Sequence, residues 1–217
     1  MSTRNSLRGG VLLAVVVGLM AFSLPAFAQV LGSAHDLNTF PGVTMPSSQT
    51  CVACHTPHNA DITVAEAPLW NHEMTASAHT PYSGGGTLNA TVPAPGGISL
   101  LCLSCHDGTV AVDSFGGSTG TNFLAGNENL GTDLSDDHPI SFVYDLALSG
   151  LDGALEDPAT ALSTLGGTIA QDMLFGVGNT NLECASCHDV HNGPGTTGAL
   201  LRISNVGSAL CTTCHVK

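Results

Sequence analysis

Four copies of one short motif contain every cysteine of this 217-residue chain. Each copy reads Cys-x-x-Cys-His, and the copies lie at residues 51–55, 102–106, 184–188 and 211–215. In such a motif the two thiols can form thioethers with the vinyl groups of a haem, and the histidine can bind the iron. The sequence therefore predicts four covalently attached haem c groups. The predicted attachment residues are Cys51, Cys54, Cys102, Cys105, Cys184, Cys187, Cys211 and Cys214, and the predicted proximal iron ligands are His55, His106, His188 and His215.

Three other chemistries use paired cysteines. A disulfide framework rarely places every cysteine in a Cys-x-x-Cys pair followed by histidine. A structural zinc site brings two pairs together and gives no reason for a histidine after each pair. A redox dithiol occurs singly near a βαβ pattern, which this sequence does not contain. Haem attachment is the interpretation that accounts for all eight cysteines.

Six further histidines are available for the opposite faces of the four irons. His58 and His191 each lie three residues after a proximal histidine, a spacing that suits a neighbouring haem rather than the same iron. The predicted distal candidates are His58, His191, His138, His72 and His35, and His79 is expected to be a bystander. Methionine is the competing ligand and would raise the haem potential. Because histidine is in surplus, we expect bis-histidine ligation, low potentials and no open iron, and hence no catalytic residue and no enzyme.

The composition predicts a fold built around its cofactors. Seven Phe, two Tyr and one Trp supply few bulky side chains for a core, and 26 Gly with 11 Pro favour turns. We therefore expect a mostly irregular, loop-rich multihaem cytochrome c fold organised around four covalent haems. Short α-helices are expected at the haem motifs.

Local patterns predict a few regular elements. Ser99 and Asn181 have the character of N-cap residues, and each precedes a helical stretch that ends with a motif. Further helices are expected over residues 207–215 and 158–165, and a short strand over residues 140–144. The rest of the long insert between the second and third motifs is expected to be an ordered loop.

The amino terminus predicts export. Arg4 and Arg8 precede an apolar run that ends in Ala26-Phe27-Ala28, the pattern of a secretory signal peptide. We accordingly divide the chain into a signal peptide, residues 1–28, and a tetrahaem cytochrome c domain, residues 29–217. The apolar run is shorter than the roughly 20 residues of a membrane-spanning helix, so no membrane span is expected.

The expected exported chain is strongly acidic. Residues 29–217 contain two basic residues, Arg202 and Lys217, against 17 acidic residues, a formal charge of −15. This charge argues against nucleic acid as a partner and favours basic redox partner proteins. Two cations cannot neutralise eight haem propionates. We expect some propionates to face water and others to accept hydrogen bonds from backbone N–H, Ser, Thr or Tyr.

Several segments together resemble the OmcE-type extracellular tetrahaem cytochromes. They are CVACHTPH at 51–58, PLWNH at 68–72, GISLLCLSCHDGTVA at 97–111, DDHPIS at 136–141 and LRISNVGSALCTTCH at 201–215. The resemblance spans nearly all of residues 29–217. It implies polymerisation into filaments, or nanowires, whose stacked haems carry electrons outside the cell, and a histidine of one subunit that ligates a haem of the next. By its position, His58 is the candidate for that histidine.

Two functional hypotheses follow. The first is electron transfer through four bis-histidine c-type haems, either in an extracellular or cell-surface homopolymer or in a monomeric periplasmic shuttle. Its partners would be redox proteins or extracellular electron acceptors. The second is a multihaem oxidoreductase with one open haem iron. Fully low-spin haems would favour the first hypothesis, and binding of cyanide would favour the second.

Overall fold

The computed structural model describes residues 29–46, 49–84, 86–191 and 199–216. The predicted signal peptide lies outside these residues. Within them the chain is mostly turns and irregular segments, which confirms the expected loop-rich fold with few short helices. The α-helices are Gly97–His106, Leu146–Asp152, Ile169–Asp172, Cys184–Cys187 and Ala209–Cys214, and the 3₁₀ helices are Leu37–Thr39, Thr50–Ala53, Gly126–Glu128 and Val206–Ser208. No helix in the described part of the chain has the length and hydropathy of a membrane span.

Three of the four motifs lie on short α-helices. These are Gly97–His106 for the second motif, Cys184–Cys187 for the third and Ala209–Cys214 for the fourth. The first motif differs from the expectation, because it starts on the 3₁₀ helix Thr50–Ala53. Both kinds of helix bring residues i and i+3 to one side, so the two cysteines of every motif can face one haem.

The expected N-cap role of Ser99 is wrong. The helix begins at Gly97, and Ser99 is a fully buried residue of its first turn. Its backbone N–H donates a hydrogen bond of 3.3 Å to the carboxylate of Glu183, which lies 84 residues later in the chain. A distant acidic side chain therefore satisfies one of the free amides at this helix start, where sequence reasoning expected a local cap.

A two-stranded antiparallel sheet replaces the helix start that was expected at Asn181. Strand β1 is Phe142–Val143 and strand β2 is Asn181–Leu182, with Phe142 opposite Leu182. The strand predicted over residues 140–144 is confirmed by β1. The third motif therefore follows a strand, and its helix shortens to one turn.

Residues 158–165 form turns, so the helix expected there is wrong. Thr164 adopts a left-handed backbone conformation with φ of 70°. The N–H of Ser163 donates to the carbonyl oxygen of Gly167 at 3.0 Å, in the forward direction of the chain. Both features are incompatible with a continuing α-helix, in which each N–H bonds backwards.

The long insert between the second and third motifs supplies most of the hydrophobic core, and so is more than the ordered loop expected. The core residues are Phe142, Tyr144, Leu148, Ile169, Met173, Leu174, Leu182 and Ile203. Leu210 and Cys214 pack against this cluster, so the helix of the fourth motif lies against the hydrophobic core. The hydroxyl of Tyr144 donates to the carbonyl oxygen of Glu156 at 2.7 Å and lies 3.4 Å from that of Cys214.

Candidate haem sites

The eight cysteines form neither disulfides nor an ordinary metal site. All eight lie in the described ranges, and none of them is in a disulfide. In the same ranges, no three or more His, Cys, Asp or Glu side chains converge as they would around a zinc ion. Each thiol pair instead has its own histidine directly after it in the chain, the arrangement that thioether attachment uses.

Consecutive motifs are neighbours in space. Burial raises the pKa of Cys105 in the second motif to about 12, and Cys54 in the first motif adds to this rise. Cys102 in the second motif and Cys184 in the third hydrogen-bond to each other, which raises the pKa of Cys102. Burial also raises the pKa of Cys187, with further contributions from thiols of the third and fourth motifs. The four sites therefore follow one another in space in the order of the sequence.

Three of the four proximal histidines are fixed through one ring nitrogen by a backbone carbonyl. The Nδ1–oxygen pairs are His55–Pro68 at 2.8 Å, His106–Glu128 at 2.7 Å and His188–Ala199 at 2.9 Å. A metal-bound histidine ordinarily donates its second ring N–H to such an acceptor, which sets its tautomer and orientation. The arrangement leaves Nε2 of each ring for an iron.

The segment 68–71 runs beside the first motif and holds it. The N–H of Asn71 donates to the carbonyl oxygen of Cys54 at 2.9 Å, and that of Thr56 donates to Leu69 at 2.8 Å. Together with the contact between His55 Nδ1 and the carbonyl oxygen of Pro68, these hydrogen bonds hold the backbone and the ring of the first proximal histidine against this segment. The segment thereby fixes the orientation of His55.

Three distal candidates lie opposite proximal histidines. The ring centroids are separated by 6.0 Å for His35 and His106, by 6.2 Å for His55 and His191, and by 6.5 Å for His138 and His215. With metal–imidazole bonds of about 2 Å and about 1 Å from each nitrogen to its ring centre, two axial imidazoles have centroids about 6 Å apart. The residues present therefore fit bis-histidine ligation at the first, second and fourth motifs.

Two buried polar atoms also fit a bound haem. His35 Nδ1 and Trp70 Nε1 are the buried side-chain nitrogens without a hydrogen-bond partner in the described part of the chain. Burial lowers the pKa of His35 to about 4, and the neighbouring charge of His106 acts in the same direction. His35 is therefore neutral near pH 7, the form that binds iron. A propionate would supply the acceptor that the Trp70 indole N–H lacks.

His188 differs from the other proximal histidines. Among the described residues it has no histidine ring partner at the separation found for the three pairs. His188 is exposed, and so is His58, a distal candidate that, like the buried His72, has no proximal ring opposite it in the same ranges. Within the described ranges, one proximal histidine and one exposed distal candidate are thus left without a ring opposite them.

His72 and His79 are both engaged by protein groups. His72 is 4% exposed, with Nδ1 2.8 Å from the carbonyl oxygen of Glu73 and Nε2 3.0 Å from that of Ala111. In this conformation neither ring nitrogen of His72 is available, so its distal role remains a prediction that the contacts do not favour. His79, the expected bystander, lies with Nε2 3.1 Å from the buried carboxylate of Asp107.

Sequence reasoning did not find two residues that hold the third motif. Arg202 donates from Nε to the carbonyl oxygen of Ala185 and from its backbone N–H to Cys187 at 2.8 Å. Glu183, directly before the motif, is buried at 2% exposure. An acidic residue next to a haem-attachment cysteine was the available signal for Glu183. The scarcity of cations was the available signal for Arg202.

The comparisons with known proteins concern the last part of the chain. The family model described as a doubled CXXCH motif matches residues 177–217, which include the third and fourth motifs. No curated protein matches the chain. The match covers under a fifth of the sequence, so it identifies the motif and not the whole protein. This segment is a multihaem c-type cytochrome motif, and it indicates covalent haem c binding and electron transfer.

Proposed function

We propose that this protein transfers electrons through four covalently bound bis-histidine haem c groups and acts outside the cell as a filament. The observation that carries the proposal is the succession of four Cys-x-x-Cys-His sites, each next to the following one. A conduit needs redox centres held close together and covered by protein, and the protein supplies their position and surroundings. Histidine on both faces of each iron keeps the potentials low.

His188 and His58 support the proposed assembly. Three proximal histidines have a histidine opposite them within the chain, and His188 has none in the described ranges. His58 is exposed and has no proximal ring opposite it, so His58 of one subunit can complete the site of His188 in the next. The resemblance to OmcE-type cytochromes implies cross-subunit ligation of this kind. The proposed partner is therefore a second copy of this chain.

In the described ranges His188 has no histidine ring opposite it, and this observation also supports a second candidate function. If His188 keeps an open iron in the working protein, the third haem can bind a small substrate, and the protein is a multihaem oxidoreductase. The two functions differ in the state of that single site. A monomeric periplasmic shuttle would share the open site unless another ligand moves to it.

The proposed location follows from the amino-terminal pattern and the charge. A cleaved signal peptide, residues 1–28, would release an acidic protein that stays away from anionic surfaces. Extracellular acceptors or redox proteins with basic docking surfaces are the partners that suit this charge. No catalytic residue is proposed.

Intact mass spectrometry and electron microscopy of the secreted material test the proposal. The expected mass is that of the chain from Gln29 with four haems, and the expected images contain filaments. His58→Gln should keep all four haems and lose the filaments, whereas the control His79→Gln should keep both. Filaments that persist in His58→Gln would reject the assembly, and an unmodified mass would reject haem attachment itself. Cyanide binding by intact wild-type filaments would favour the oxidoreductase.

A further inference from the structure

Glu183 is a buried carboxylate at the junction of the second and third haem motifs. Its side chain is 2% exposed, and it immediately precedes Cys184. Helix Gly97–His106 packs against helix Cys184–Cys187 at this point. Gly97 makes the close approach feasible, since a Cβ there would lie 2.9 Å from Oε1 of Glu183. The carboxylate therefore lies between two adjacent haem-attachment sites.

Neutral groups supply all the hydrogen bonds to this carboxylate in the described ranges. The hydroxyl of Ser99 donates to Oε2, as does the Ser99 N–H at 3.3 Å, and the hydroxyl of Ser141 donates at 2.8 Å. No salt bridge in those ranges includes Glu183. A carboxylate held by neutral donors can gain a proton without breaking an ion pair, because a hydroxyl can turn and act as an acceptor.

The surroundings of Glu183 destabilise the ionised form of its carboxyl group. Burial raises the pKa of Glu183 above its ordinary value, although hydrogen bonds from Ser99 and Ser141 act against this rise. The charge of Glu66 raises it further. The other titratable groups beside it are the thiols of Cys102 and Cys184, and these become thioethers when haem is attached. Under those conditions Glu66 is the remaining ionisable side chain that acts on Glu183 in the described ranges, and the haem propionates would be the other ionisable groups.

We propose that Glu183 is a redox-linked proton-binding site, which takes up one proton when the haem of the second or third motif accepts an electron. The inference rests on the proposed function. With haem bound, an electron from a redox partner or an electrode would reduce ferric to ferrous iron, and a proton from water would convert the Glu183 carboxylate to the carboxylic acid. The loss of one positive charge at a haem held by the second or third motif would favour the neutral form of the carboxylate. Ser141, which donates to the carboxylate, is itself buried at 9% exposure.

Spectroelectrochemical titration of the holoprotein at a series of pH values tests the proposal. In the wild type, the midpoint potential of one haem should fall as pH rises. The slope should approach about 59 mV per pH unit, the value for a tenfold change in a one-electron equilibrium. Glu183→Gln keeps an acceptor oxygen of similar shape and should lose this slope. The matched control Glu73→Gln changes an exposed glutamate and should retain it.

Infrared difference spectra of the wild type provide an independent measurement. The reduced-minus-oxidised spectrum should contain the carbonyl stretch of a protonated carboxyl group, and the band should shift when glutamate is labelled with ¹³C. Absence of that band, or an unchanged slope in Glu183→Gln, would overturn the inference. Haem content is measured on every sample. Loss of covalent haem from the wild type would refute the proposed function, whereas a fully loaded protein without the slope would refute only the role of Glu183.

Discussion

Replacement of His138 by alanine tests the pairing of histidines across the irons. The rings of His138 and His215 are 6.5 Å apart, and both residues are exposed. His138→Ala should therefore leave the fourth haem with His215 alone and with a sixth position that water or cyanide can reach. Covalent attachment should persist, since both cysteines of the fourth motif remain.

The expected stoichiometry follows from the pairs. In the proposed filaments, where His58 of the neighbouring subunit would complete the site of His188, the wild type should bind no cyanide. His138→Ala filaments should bind one equivalent per chain, and one haem in four should become high-spin. In isolated monomers, the numbers should be one equivalent for the wild type and two for the variant.

Cyanide titration followed by visible absorption, together with electron paramagnetic resonance, measures these numbers. The control is His79→Gln, which retains a donor for Asp107 and should leave every haem low-spin. If His138→Ala filaments remain entirely low-spin and bind no cyanide, His138 is not the distal ligand and the reasoning from ring separation is refuted.

Three further predictions concern stability. Tyr144→Phe should lower the free energy of unfolding of the holoprotein by about 0.5–1.5 kcal/mol, because the partly buried carbonyl oxygen of Glu156 loses its donor. Tyr82→Phe should change it by less than about 0.5 kcal/mol in the same denaturant titration. Gly97→Ala should lower the melting temperature more than Gly131→Ala does. Both residues have positive φ, a conformation that costs an alanine roughly 1–2 kcal/mol. Of the two substitutions, the one at Gly97 also brings a Cβ against the side chain of Glu183. Burial acts to raise the pKa of Asp113, but hydrogen bonds from Asn122 and Thr121 hold it below its ordinary value. Its stabilising effect is therefore complete above the unfolded pKa and lost as pH falls through the lower folded value. Asp113→Asn should flatten the acid limb of a stability–pH curve, and an unchanged limb would contradict this.

Local features of the fold were readable from the sequence. The strand at Phe142–Val143 follows from a short run of β-forming residues, and the helix Ala209–Cys214 lies within the range expected for it. Both depend on neighbours in the chain. Ser99 shows the limit of this reasoning, since its hydroxyl serves Glu183 and its helix is capped from a distance. Capping rules describe sequence neighbours and contain no information on such a partner.

In the candidate haem sites, too, local features could be predicted from the sequence and long-range contacts could not. The motif spacing predicts the cysteines and proximal histidines, because all the atoms concerned lie within five residues. The histidine rings that lie near each other are far apart in the chain: His35 is near His106, and His191 is near His55. Sequence position alone ranked His72 among the candidates, and one of the two carbonyl oxygens that engage it belongs to Ala111, 39 residues later in the chain. Only the three-dimensional path of the loops distinguishes these histidines.

The contacts between Nδ1 of the proximal histidines and backbone carbonyl oxygens have a consequence for the order in which the haem sites would form. The carbonyl groups that bind His55, His106 and His188 lie 13, 22 and 11 residues away, so if the chain is exported as proposed, each contact could form soon after its motif leaves the export channel. The ring opposite His55 belongs to His191, which emerges far later. A nascent chain would therefore hold its first haem with one axial ligand until the third motif has crossed the membrane. An interrupted or truncated chain would retain that reactive iron, a chemical mark by which incomplete molecules differ from finished ones.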